Sequence, residues 1–515
     1  MCLKQSLLNH KLISKIAYCK QIFKYKDMNL NDRYEMSLGL LTDLYQLTMA
    51  QGYWKKEMAE QEAVFHLFFR KNPFQGGYTV CAGLADAIDF LQHLKFTEDD
   101  LAYLSSLQGS RQQPLFEAGF LDYLRDLKFT CQVDAIPEGT LVFPNEPLLR
   151  ITGPILQCQL VETPLLNIIN FQTLVATKAA RIVDAAKGDR VIEFGMRRAQ
   201  GPDGALSAAR AAFIGGIGAT SDVLAGKIFN IPVKGTHAHS WVMSFEEEQE
   251  AFAAYADVFP HDATFLVDTY HTIEGIKKAI AVAKQLRAQG AELQGVRLDS
   301  GDLAYLSKEG RKLLDEAGFP DVSIVASNDL DEYLIESLKL QGARIDTWGI
   351  GTKLVTAYDQ PALGGVYKLA ALRKKTGEWE YKLKLSEQLI KISTPGIQQV
   401  RRFYNEDGFV ADMIFSKEQP IGTSATIVDP SDITKRKTIT AGIAHQDLLI
   451  PVFKAGELVY ECPTLKAIQE YAKQQVNQLH PSIRRFLNPH IYPVGLEEQL
   501  NNKKLSIIMQ LRESE

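Results

Sequence analysis

Cysteine is scarce. Six occur in 515 residues, at Cys2, Cys19, Cys81, Cys131, Cys158 and Cys462. No two stand as C-x-x-C, so neither a zinc site nor a dense disulfide framework is written into the chain, and reduced, mostly buried thiols are expected. No apolar run reaches the roughly 18 residues that a membrane-spanning helix needs. The G-x-G-x-x-G fingerprint of dinucleotide sites and the G-x-x-x-x-G-K-[ST] phosphate loop are missing too. So are fixed-period repeats and low-complexity tracts. Acid is absent from the first 26 residues, which carry Lys4, Lys11, Lys15, Lys20, Lys24 and Lys26. Leu7-Leu8 and Leu12-Ile13 are too broken to serve as the apolar core of a signal peptide. Residues 1–36 are therefore expected to be a disordered or non-native extension, with Met28 and Met36 as plausible starts, and the protein to be cytoplasmic.

What is present is the balance of a globular protein with a sizeable core, 46% hydrophobic and 23% charged, and the length suggests two to four domains. The net charge of −5 gives no bulk attraction to nucleic acid or to anionic membrane. A phosphate site in such a chain has to be built locally, from a few placed cations and backbone N–H groups.

The expected division is 37–150 as the first part of an α+β domain, 151–380 as a catalytic domain, and 381–515 returning to pack on the first part. Thr163-Pro164 should open a helix that runs to Lys187 and stops at Gly188, the threonine as cap and the proline in the first turn. β-branched runs then alternate with amphipathic helices. The strands are predicted at 190–194, 231–233, 264–267, 294–298, 322–326 and 345–348. The helices are predicted at 244–258, opened by a capping box at Ser244 and Glu247, and at 272–288, 303–316 and 330–340. Ile273, Ile276, Ile280, Ala283 and Leu286 share one helical face, as a helix lying on a parallel sheet requires. Repeated βα units of this kind argue for an α/β barrel or a doubly wound sheet.

Polar residues of a distinctive kind follow each predicted strand. They are Phe194, Gly195, Arg197 and Arg198; Gly235, Thr236, His237, His239 and Ser240; Asp268; Arg297, Asp299, Ser300 and Asp302; Ser327 and Asn328; and Gly349, Gly351, Thr352 and Lys353. Taken singly, each has a bland explanation: a surface ion pair, a solvated edge, a satisfied histidine or an ordinary turn. Six segments converging on the carboxyl ends of strands form the active-site face of an α/β architecture. Glycine turns admit phosphate oxygens to backbone N–H groups, arginines grip carboxylates, and Asp299 and Asp302 suit ribose hydroxyls or a magnesium ion carried by pyrophosphate. No metal cage made by protein alone is visible.

The run Glu193-Phe-Gly-Met-Arg-Arg-Ala-Gln-Gly-Pro-Asp-Gly204 closely resembles nicotinate phosphoribosyltransferases. So do Thr42-Asp-Leu-Tyr45, Gly235-Thr-His-Ala-His-Ser240, Val296-Arg-Leu-Asp-Ser-Gly-Asp302 and Gly349-Ile-Gly-Thr352. The resemblance spans about residue 38 to at least 405. It implies an irregular α/β barrel of the type II phosphoribosyltransferase kind, with a second α+β domain made from both chain ends, in a homodimer with shared active sites. The implied ligands are nicotinate, phosphoribosyl pyrophosphate, ATP and magnesium, and the implied pathway is NAD biosynthesis.

By motif position, Phe194 and Tyr45 would sandwich the pyridine ring, the tyrosine coming from the neighbouring subunit. Arg297 and Arg197 would clamp the carboxylate, with Thr236 also on the nicotinate. Asp299, Ser327, Asn328, Gly349, Gly351 and Thr352 would take phosphoribosyl pyrophosphate. His239 would be phosphorylated by ATP and oriented by Asp268, while His237 receives no role. Ser221 aligns where nicotinamide-using relatives place an acid, and a hydroxyl there suits a carboxylate substrate, with Asp222 one residue away. The alternatives are a nicotinamide or quinolinate phosphoribosyltransferase, a phosphate-binding regulatory module, and a structural barrel.

Overall fold

The computed structural model describes residues 37–388, 391–421, 425–430 and 432–513, so the extension at 1–36, with Cys2 and Cys19, lies outside it. The chain divides into two compact units, Val175–Pro361 and the described parts of Met28–Leu174 and Ala362–Glu515.

The first unit is built on a six-stranded sheet of β1 (Arg190–Glu193), β2 (Ala219–Thr220), β3 (Thr264–Leu266), β4 (Gly295–Leu298), β5 (Ser323–Ala326) and β6 (Thr347–Ile350). Its order is β2-β1-β6-β5-β4-β3, and every pairing is parallel. Five of the six β-branched runs thus become strands. The sixth, 231–233, contributes a single bridge between Val233 and Thr220, since Pro232 has no N–H for a ladder. The partner strand β2 is two residues long and follows Gly215, Gly216 and Gly218, too short and too glycine-rich to show a period in sequence. The sheet stays open. Among the described residues no backbone ladder joins β2 or 232–234 to β3, so an α/β architecture is present without a barrel closed by strand pairing.

The helices of this unit are α1 (Gly201–Ile214), α2 (Val223–Phe229), α3 (His239–Met243), α4 (Glu248–Val258), α5 (Thr272–Ala288), α6 (Leu303–Glu316), α7 (Glu332–Leu340) and α8 (Thr352–Val355). On α5 the predicted face is the buried one, with Ile276, Ile280, Ala283 and Leu286 in the core. The capping box at Ser244 does not form. That hydroxyl donates to the Trp241 carbonyl at 2.7 Å because the short helix α3 ends there, and α4 starts only after Glu247. The long helix Glu162–Ala186 begins a residue before Thr163, whose hydroxyl donates to Asp43 at 2.9 Å instead of capping. It stops where predicted, at Lys187 and Gly188, both in the left-handed region that ends helices.

The second unit holds two larger sheets and a two-stranded one, Thr79–Val80 with Leu141–Val142. One has seven strands, all antiparallel, with Glu62–Phe68 between Val366–Arg373 and Leu149–Pro154. The other has six, centred on Gly408–Ser416 and Gln398–Asn405, with Phe403, Ala411, Met413, Phe415 and Ile427 in its core. Buried ion pairs pin each sheet: Arg150 with Asp134 at 2.8 Å, and Arg402 with Asp412, which also accepts the Tyr492 hydroxyl at 2.9 Å. Such pairs add little net stability over apolar residues, yet breaking one strands a buried charge. Cys81, Cys131 and Cys158 are buried thiols, Cys462 is exposed, and burial pushes the Cys81 thiol up. No helix among the described residues is long and apolar enough to cross a membrane.

Candidate active site

The carboxyl ends of β1 to β6 gather the residues singled out by sequence. Arg297 on β4 is the hub. Its Nε donates to Ser327 Oγ at 2.8 Å, one terminal nitrogen to Thr236 Oγ1 at 3.0 Å, and the other to Asp299 Oδ1 at 2.9 Å. Ser327 in turn donates to Asp299. The guanidinium carbon sits 5.4 Å from the centre of the Phe194 ring, within cation–π range. Four separate chain segments therefore meet at this cation, its own included.

Phe194 is placed by Gly349. A Cβ at that glycine would lie 2.5 Å from two ring carbons, so only glycine leaves room for the ring. The Phe194 N–H donates to the Ile350 carbonyl at 2.7 Å, which continues the β1–β6 ladder by one residue. The preceding residue, Glu193, is buried and accepts from the Gly195 N–H and from the Thr220 hydroxyl, the latter at 2.5 Å. Burial pushes this carboxyl above the usual carboxylate range, and the two donated hydrogen bonds act against that shift. Ser221 donates its N–H to the Glu193 carbonyl at 2.9 Å and is half-buried. Asp222 is buried, with Oδ2 lacking a partner. One of its oxygens caps α2, accepting from Leu224 and Ala225 at 2.9 and 3.1 Å.

His239 opens α3. Its Nδ1 is 3.1 Å from Thr269 Oγ1, and its Nε2 is 3.9 Å from Asp299. The carboxylate nearest this histidine is thus Asp299, not the expected Asp268. Asp268 Oδ2 instead accepts from the Asp299 N–H at 2.8 Å and the Ser300 hydroxyl at 2.7 Å, holding the turn after β4. Its Oδ1 is buried without a partner.

The remaining predicted residues are more dispersed. Asn328 follows β5 with φ of +94°, a conformation that asparagine tolerates better than most side chains. A Cβ at Gly351 would make only ordinary contact with the Phe194 backbone, so packing does not demand that glycine. Thr352 starts the four-residue α8, and the neighbouring Lys353 lies 3.8 Å from Asp331 and 4.0 Å from Asp359. Arg197 is exposed on the turn Met196–Arg198. Tyr45 belongs to the other unit, 49% exposed on the helix Leu44–Lys55. Among the described residues no cluster of three or more His, Cys, Asp and Glu is placed to hold a metal.

A fixed cation beside an aromatic face, ringed by hydroxyls, suits a planar anion. Sequence reasoning missed Glu193 and Thr269 as parts of this site. The signals were present, since Glu193 is an acid directly after the apolar pair Val191-Ile192 and Thr269 directly follows Asp268.

Three family models match consecutive stretches of the chain: the nicotinate phosphoribosyltransferase N-terminal domain at residues 40–170, the family proper at 190–384 and the C-terminal domain at 397–504. The chain is 46% identical over 481 residues to a nicotinate phosphoribosyltransferase of Bacillus subtilis, covering 92% of this chain and 96% of that one. It is 37% identical over 536 residues to the Caenorhabditis elegans enzyme of the same name, covering 92% and 94%. It is also similar in structure to human nicotinic acid phosphoribosyltransferase, with a TM-score of 0.79 at 33% identity over 90% of this chain and 99% of the human one.

Proposed function

The chain belongs to the nicotinate phosphoribosyltransferase family and is an enzyme of that activity, and from this premise we propose how it works. Nicotinate attacks the ribosyl carbon of 5-phosphoribosyl 1-pyrophosphate, pyrophosphate leaves, and nicotinate mononucleotide enters NAD biosynthesis as a salvage product. The reaction is coupled to ATP hydrolysis through phosphorylation of His239. The observation that carries the reading is the fixed Arg297 guanidinium beside the Phe194 ring.

Arg297 has five N–H groups, and three are committed to protein oxygens. The two that remain, one on each terminal nitrogen, suit the two oxygens of a pyridine carboxylate whose ring lies on Phe194. Ser221 supplies a hydroxyl where an acid would repel that carboxylate, and Asp222 turns one oxygen to the α2 cap. Ribosyl transfer builds positive charge on the sugar while pyrophosphate departs, so placement and charge neutralisation matter more than a protein nucleophile. Asp299, with the turns at Ser327-Asn328 and Gly349–Thr352, borders the phosphoribosyl end. Asp299 and Asp302 each have one oxygen engaged by protein, so their other oxygens suit a magnesium ion carried by the substrate's phosphates. When bound, magnesium supplies charge neutralisation on the leaving pyrophosphate.

With Nδ1 held by Thr269, Nε2 of His239 is the nitrogen that attacks the terminal phosphorus of ATP and expels ADP. Water later hydrolyses the phosphohistidine. The parallel sheet is proposed to wrap as an irregular barrel, and two subunits to share their active sites.

Incubating purified protein with nicotinate and phosphoribosyl pyrophosphate, with and without ATP, tests the reaction. Product should form fastest from nicotinate, against nicotinamide and quinolinate, and ATP should stimulate it. His239→Ala should abolish ATP hydrolysis and the ATP response of any remaining transfer. Full stimulation in that variant, or phosphate label on His237, refutes the assignment.

A further inference from the structure

The chemistry above leaves His237 unused. Its imidazole is 7% exposed and walled by Phe252 and Tyr255 of α4 and Phe265 of β3, at ring-centre distances of 6.2, 5.0 and 6.4 Å. Nδ1 lies 3.4 Å from the Ala238 carbonyl, and Nε2 accepts the N–H of Leu266 at 3.2 Å. Leu266 belongs to β3, the edge of the open sheet, where an unpaired backbone donor in the core would be costly.

The opposite edge explains why a side chain does this. There β2 extends by one bridge: Thr220 donates its N–H to the Pro232 carbonyl at 3.0 Å and accepts from the Lys234 N–H at 3.0 Å. Three residues after Lys234, the chain is already against β3 through His237. We infer that His237 is a positioning residue which closes the sheet, its imidazole standing in for the missing ladder between 232–234 and β3, and that this closure sets Thr236 on Arg297 and His239 on Thr269.

Three of four successive residues grip the carboxyl end of β4 and β3: Thr236 accepts from Arg297 at 3.0 Å, His237 from Leu266, and His239 meets Thr269 just beyond β3 at 3.1 Å. Thr236 is half-buried, and the His239 side chain is 41% exposed, so water competes for both contacts. The His237 bond is the buried one of the three, where an unmade hydrogen bond is most costly. An acceptor role requires a neutral ring with the proton on Nδ1. The surroundings enforce neutrality. Burial lowers the imidazole pKa to about 4; the Ala238 carbonyl at Nδ1 works against that shift, and Arg297 and His239 work with it. Tyr255, the titratable group facing it from α4, is itself pushed up by burial and stays neutral.

The kinetic arm of the test rests on the transferase reading, and the spectroscopic arm does not. His237→Leu removes the acceptor, whereas His237→Gln supplies an amide oxygen in place of Nε2. In the leucine variant the KM for nicotinate should rise by about tenfold, the scale of one buried donor left unpaired, and ATP stimulation should fall. The glutamine variant should restore both to within about threefold. Folded variants that are equally impaired, or a leucine variant with wild-type KM, overturn the role. Nitrogen-15 NMR of the wild-type protein, with the His237 signal assigned by its loss in His237→Gln, reads the tautomer directly. An unprotonated Nε2 from neutral pH down to about 5 is expected, and a protonated Nε2 overturns the proposal whatever the enzyme's substrate proves to be.

Discussion

Arg297 and Gly349 show two different ways in which one residue serves the site. Arg297 acts through charge and a planar fork of donors. Charge-assisted hydrogen bonds contribute roughly 1.5–3 kcal/mol. Arg297→Ala is therefore expected to lower kcat/KM for nicotinate by at least about tenfold. Arg297→Lys should rescue little, because a point charge cannot hold Thr236, Ser327 and Asp299 together as the guanidinium does. Steady-state kinetics decide it, and unchanged values would remove Arg297 from the site. Gly349 acts through absence, since its missing side chain is the space that Phe194 fills. Gly349→Ala should push the ring aside and raise the nicotinate KM while circular dichroism stays native. A normal KM would mean that the Phe194 ring does not touch the substrate.

At the scale of elements, the loop from Gly235 to Ser240 joins the two open edges of the sheet, and its buried histidine ties part of the stability of β3 to pH. The folded state holds the His237 pKa near 4, chiefly by burial, against about 6.5 for an unfolded histidine. Between those values the unfolded chain binds the extra proton. The stabilisation is complete above about pH 6.5 and is lost as pH falls towards 4. Urea unfolding of wild type and His237→Gln between pH 4.5 and 7.5 should show the wild type losing ground to the variant on the acid side. A stability difference that stays constant across that range contradicts a neutral, buried imidazole.

For the whole molecule, the proposed sharing of sites between two subunits is what a complementation experiment tests. Tyr45 lies on an exposed stretch with Leu41, Leu44 and Met49, while the Arg297 cluster belongs to the other unit. If two subunits share their sites, Tyr45→Ala and Arg297→Ala damage different halves of each. A heterodimer of the two variants then contains one site with both defects and one with neither. Mixing inactive, folded variants after dissociation should restore up to about half of wild-type activity, with exchange verified by a mass tag. Complete exchange without recovery would place both residues in a site made by one chain.

Local order was legible before any coordinates. The 3.6-residue period located α5, and β-branched runs located five strands, because those patterns are set by neighbours a few residues apart. The concentration of arginine, aspartate, histidine and glycine just after strands also marked the face where the candidate site gathers, since strand direction alone decides which end such residues occupy. The folded chain decided what pairing at a distance decides. Thr236 meets Arg297 across 61 residues and Thr220 meets Glu193 across 27. His239 takes Thr269 and Asp299 as neighbours where Asp268 was expected, and Gly349 makes room for the Phe194 ring, a demand that its place in a glycine turn did not reveal. His237 acquires a purpose only because two sheet edges fail to pair. A hydrogen bond needs two groups within about 3 Å, and periodicity along a chain carries no record of which distant groups come that close.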